Sequence, residues 1–81
     1  MFEIMIEDVS VIHGHTTVSG RCKNREYFTS ILVDDNGTEY TAFLPFIKHV
    51  VTPGVDYITL ELAEVPSPNA LIGQILRGLT Q

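Results

Sequence analysis

Cysteine, tryptophan, basic residues and long apolar runs are all scarce in this chain of 81 residues, and each scarcity excludes something. The one cysteine, Cys22, cannot close an internal disulfide, so no covalent staple supplements the core. No apolar run approaches the roughly 18 residues that a membrane-spanning helix requires, which predicts a soluble protein. Met1 leads directly into an alternating segment instead of a basic, then apolar, then small-residue leader, and with the single cysteine this points to the cytoplasm. Five Lys and Arg against ten Asp and Glu give a net charge of −5, so bulk electrostatics oppose nonspecific binding to nucleic acid. A chain of this length suits one domain, residues 1–81, with a compact core and modest stability.

What is present is β-pattern. Phe2, Ile4 and Ile6 share one parity, whereas Val9 and Val11 share the other. One residue inserted into a strand shifts its inward face by one position, so a β-bulge is predicted at Glu7 and Asp8. Gly14 supplies a turn, and Thr16 to Cys22 offers β-branched residues for the returning strand. Tyr27 to Val33 reads as a covered strand running into Asp34-Asp35-Asn36-Gly37, where Asn-Gly predicts a tight hairpin with positive φ at both central residues. The second arm runs from Thr38 to Leu44 and ends at Pro45. Phe46 to Val51 fits either a short strand or a connecting loop. Thr52-Pro53-Gly54 is a turn with glycine at the positive-φ position, and Asp56 to Ala63 alternates with Ile58, Leu60 and Leu62 inward. Ala70 to Leu79 fits one helical turn plus a strand, or a short amphipathic helix that Gly73 and Gly78 disfavour.

About six short strands with regular turns and almost no helix predict an all-β domain, a small closed or partly closed antiparallel β-barrel, with a sandwich as the alternative. Arg21, Lys23 and Arg25 fall at every second position, so an extended chain would gather them on one face as a local positive spot. The competing reading is a charged strand edge that discourages sheet-to-sheet association. Of the aromatic residues, most are expected in the core, with one or two rings exposed.

The order of these features resembles the β-barrel second domain of the translational GTPases, as in elongation factor Tu. The run Ile6-Glu7-Asp8-Val9 through Gly14, Thr16-Thr17-Val18 and Gly20-Arg21 is similar to that family's opening pattern. Thr52 to Leu62 and Leu71-Ile72-Gly73-Gln74-Ile75-Leu76 follow the order of its late elements. His15 replaces the second family glycine, and Lys23 to Thr29 lacks the family's lysine, glycine and aspartate before the third strand. The resemblance implies a noncatalytic binding module touching RNA, the ribosome or another translation factor, or a protein partner. It also implies binding residues at Glu7, Asp8, Val18 and Asp56, to which spacing adds Arg21, Lys23 and Arg25. No Gly-x-x-x-x-Gly-Lys-Ser/Thr phosphate loop is present, so nucleotide hydrolysis is not expected. The alternative is a freestanding structural or homo-oligomerising barrel in which Val50, Val51 and Leu79 pack against another copy.

No catalytic site, cofactor or metal is assigned. His13 and His15 would share a direction on an extended chain, but a metal shell needs Cys22, His49 or a carboxylate to close it. Cys22 with a histidine could form a nucleophile pair, yet nothing in the sequence suggests an oxyanion donor or an orienting third group.

Overall fold

The computed structural model describes residues 1–43 and 45–79. The fold grows from one hairpin. Strand β1 (Glu3–Ile12) carries Ile4 and Ile6 into the core, preceded by buried Phe2, while Met5 faces out. It pairs antiparallel with β2 (His15–Lys23) from Glu3 opposite Lys23 to Ile6 opposite Gly20, then resumes at Asp8 opposite Ser19. Glu7 is therefore the extra residue, and the predicted bulge lies at it. His13 and Gly14 take φ of 52° and 78°, the mirror-image turn whose twist matches a two-residue hairpin. The expected inward pairing of Val9 with Val11 holds only for Val9, which packs on the core. Val11 and Ile12 are exposed.

The predicted strand from Tyr27 shrinks to β3 (Ile31–Val33), because Asn24 turns left-handed at φ 57° and starts a 3₁₀ turn, Arg25–Tyr27. The Tyr27 and Phe28 amides donate to the Asn24 and Arg25 carbonyls at 2.9 and 3.1 Å, which withdraws them from any ladder. β4 (Glu39–Thr41) completes the hairpin, with Val33 opposite Glu39. Its loop is not the predicted tight turn: only Gly37 has positive φ, at 85°, and Asp34 organises the connection. The Asp34 carboxylate accepts the Asn36 and Thr38 amides, both at 2.9 Å, so a side chain replaces the second positive-φ residue. Leu44, the expected end of that arm, lies outside the described residues.

Phe46–Thr52 is a strand, β5, and Gly54 at φ 86° turns it into β6 (Val55–Leu62), whose Ile58, Leu60 and Leu62 are buried as predicted. The C-terminal segment takes the turn-plus-strand form: a 3₁₀ turn at Pro68–Leu71, Gly73 at φ 86°, then β7 (Ile75–Gly78).

All seven strands join in one antiparallel sheet of order β4-β3-β7-β1-β2-β6-β5. This order has two ends, so the expected closed or partly closed barrel of about six strands is corrected to an open sheet of seven. The turn chemistry that suggested closure is shared by any antiparallel meander, whereas closure requires the end strands to pair in a ladder. Among the described residues one bridge, Ala42 opposite Leu62, links the chain just beyond β4 to β6, the Phe43 amide donating to the Glu61 carbonyl and the Ala63 amide to the Thr41 carbonyl, both at 2.9 Å, and β5 stands outside it. One face of the sheet is buried, and Leu71 packs against it. Phe2, Ile4, Ile6, Val18, Leu32, Ile58, Leu60, Leu62, Leu71 and Leu76 meet in one cluster with Cys22 and Ala42.

Candidate functional site

The solvent face of the sheet is fixed by register. One row runs Ile75, Met5, Arg21, Tyr57 and His49 across β7, β1, β2, β6 and β5. The next runs Arg77, Glu3, Lys23, Val55 and Thr52. These rows define a shallow cleft of about 320 Å³ lined by Glu3, Met5, Arg21, Lys23, Val51, Thr52 and Val55. The His49 ring stacks on Tyr57 with centroids 5.2 Å apart and planes 6° from parallel. The Tyr57 hydroxyl donates to Asp8 Oδ2 at 3.3 Å. Burial, then the charge of Asp8 and the bond to it, push that hydroxyl above its usual pKa.

β5 forms one wall of this cleft and one end of the sheet. All seven of its residues are exposed, including Phe46 at 67% and Val50 at 62%, so neither face of the strand is covered. Among the described residues it pairs only with β6, and register shifts between Ile47 and His49 and between Val50 and Thr52 leave Lys48 and Val51 unpaired. Pro45 and Pro53 flank it. Prolines are admitted at strand edges and ends, so they were the available signal for an edge strand that alternation alone did not give.

The residues singled out from sequence divide into separate groups. Glu7 and Asp8 sit at the bulge, where Glu7 pairs with Arg21 Nε at 3.2 Å and Asp8 holds Tyr57. Val18 is fully buried and packs in the core cluster. Arg21 and Lys23 line the cleft together. Arg25 does not join them on a strand, because the left-handed Asn24 ends the extended chain; its Nε binds Asp56 Oδ2 at 3.0 Å. Met5 and Lys48 were not foreseen for binding, whereas Val51 was named only as part of a surface packing against another copy.

The histidines and the cysteine lie apart. His15 Nδ1 contacts Glu61 Oε2 at 2.9 Å, and His49 stacks on Tyr57 at the other end of the face. Among the described residues no group of three or more His, Cys, Asp or Glu side chains converges as metal ligands. Cys22 is fully buried, seven residues along β2 from His15. Burial first, then the charge of Asp56, push its thiol from 9.0 up to about 12.

That shift has a measurable sign. The folded value lies above the free one, so its contribution is fully present below pH 9.0 and lost as pH rises toward about 12, where the unfolded chain releases the proton first. Urea unfolding from pH 8 to 11 is expected to show a steeper alkaline decline in wild type than in Cys22→Ala. Parallel declines would remove Cys22 as the cause. Tyr40 and Tyr57, both raised above 10.0 chiefly by burial, act in the same direction in both proteins.

Comparison with protein-family models, curated proteins and solved structures gave no match. The resemblance to the second domain of the translational GTPases is thus overturned twice, by that result and by the open sheet. The RNA, ribosome and translation-factor role it implied falls with it, as do the barrel-based roles. No helix among the described residues is long and apolar enough to cross a membrane.

Proposed function

We propose that this chain is a noncatalytic interaction domain that receives an extended segment of a protein partner along β5. One observation carries the reading: a strand of seven residues at an end of the sheet is exposed throughout and displays Phe46, Ile47, Val50 and Val51. The outer side of an edge strand presents unpaired N–H and C=O groups, which an added strand satisfies while its side chains read the pockets beside them. The other end of the sheet is a poorer template. β4 has three residues, and the chain just beyond it is already bridged to β6. The noncatalytic part of the reading is supported by the state of the reactive groups. The Cys22 thiol is buried and held protonated, His15 is engaged by Glu61, and His49 lies flat on Tyr57.

Selection from a display library of linear peptides, followed by amide hydrogen exchange on the complexes, tests this reading. Bound peptides are expected to slow exchange at residues 46–52 by at least about tenfold, as ladder hydrogen bonds form on the free side of β5. Peptides that protect only the hairpin tip around His13, or a library that yields no binder, would remove the proposal.

A further inference from the structure

Resting on that reading, we infer that the segment β5 receives is an acidic one, alternating carboxylates with apolar side chains. The argument is the distribution of charge. All three arginines are held by carboxylates: Arg21 by Glu7 at 3.2 Å, Arg25 by Asp56 at 3.0 Å and Arg77 by Asp35 at 2.8 Å. The two lysines, Lys23 and Lys48, have no carboxylate within 4.0 Å among the described residues. Both stand at this site, Lys48 in β5 and Lys23 in the cleft that Val51 and Thr52 wall. β5 itself contains Lys48 and His49 and no acid. In a chain of net charge −5, the uncompensated positive charge is thus concentrated beside the one long exposed edge.

The same arrangement disfavours a second copy as the occupant. Antiparallel pairing of two β5 strands would bring Lys48 of one near Lys48 of the other, and like charges across a ladder are destabilising. The bulges at Lys48 and Val51 bend the edge, a device that hinders a rigid sheet more than a flexible segment. An incoming strand with carboxylates reaches Lys48 directly, while Lys23, two strands behind β5, adds its charge to the attraction at low salt. Its apolar side chains meet Phe46, Ile47 and Val50 on the strand.

The test uses two labelled peptides of alternating valine and glutamate or valine and lysine, with binding followed by fluorescence anisotropy and the site by amide exchange. The glutamate peptide is expected to bind at least about tenfold more tightly at low salt, an advantage that shrinks as salt screens it. Lys23→Glu together with Lys48→Glu should reverse the order. Both side chains are exposed, and a thermal melt confirms that the double variant folds. Equal binding with β5 protected overturns the acidic partner and leaves strand docking standing. No binding by either peptide, with residues 46–52 unprotected, overturns docking as well. A dimer in sedimentation with β5 protected before any peptide is added assigns the edge to a second copy and overturns this inference.

Discussion

Gly20→Ala is expected to lower the unfolding free energy by about 3 kcal/mol, the upper end of the cost of forcing an extra carbon into a packed site. Gly20 lies opposite Ile6, the last residue of β1 before the bulge. A Cβ there would overlap the Met5 carbonyl oxygen and stand 2.8 Å from its carbon and 3.1 Å from Ile6 Cα. Those are backbone atoms of a strand paired on both sides, since Met5 faces Arg21 in β2 and Ile75 in β7. The backbone therefore cannot retreat without loosening one ladder or the other. Gly54 is the control, because it needs its positive φ of 86° but has nothing within 4 Å of the added carbon. Alanine there should cost only about 1 kcal/mol, from conformation alone. With about 4–8 °C per kcal/mol for a domain of this size, Gly20→Ala should melt about 12–24 °C below wild type. A loss no larger than that of Gly54→Ala would show that β1 slides aside, and the close approach at the bulge would not constrain the sheet.

The bulge was legible because it leaves a trace in parity: Phe2, Ile4 and Ile6 on one side of Glu7, Val9 on the other. The inward residues of β6 were legible for the same reason, and Gly54 announced a turn that its positive φ makes. Each of these is a local property, decided by neighbours along the chain. Arg25 escaped because one left-handed residue, Asn24, converts a strand into a 3₁₀ turn, and no pattern two residues earlier marks that choice. The Asn-Gly hairpin was misread in type because the Asp34 carboxylate competes for the turn amides.

The open sheet was harder still. Which strands end a sheet depends on partners far apart in the chain, and here the strand flanked by Pro45 and Pro53 pairs with β6 and then with nothing among the described residues. Of the residues named for binding, Arg21 and Lys23 lie in the cleft and Glu7 and Asp8 brace it, while Val18 is interior. The carbonyls and amides along β5 were invisible to a search by side-chain type. An edge binds through its backbone, and every sequence has one.

Phe2→Ala is expected to remove about 3 kcal/mol, the low end of the cost for truncating a buried phenylalanine. A chain of this length has about 4–12 kcal/mol of stability in all, so the loss is a large part of the total. The ring is 1% exposed and meets Phe28 edge to face, with centroids 5.2 Å apart and planes at 83°. It thereby ties β1 to the irregular segment that follows the 3₁₀ turn at Arg25–Tyr27. The low end applies because a cleft of about 380 Å³ opens beside it, lined in part by Met1, Tyr27 and Leu79, whose exposed side chains can settle into the vacated space. The Gly78 amide donates to the Phe2 carbonyl at 2.8 Å, and alanine keeps that bond, so the penalty is one of packing. Phe2→Leu should cost about 1 kcal/mol, near the worth of the aromatic pair, and a double cycle with Phe28→Ala should return a coupling of about 0.5–1.5 kcal/mol. Urea unfolding of wild type, Phe2→Ala, Phe2→Leu, Phe28→Ala and the Phe2→Ala/Phe28→Ala double variant supplies all of these values. A Phe2→Ala loss below about 1 kcal/mol, well under the usual range, would mean that the segment before β1 frays from the core in solution, and the coupling with Phe28 would vanish with it.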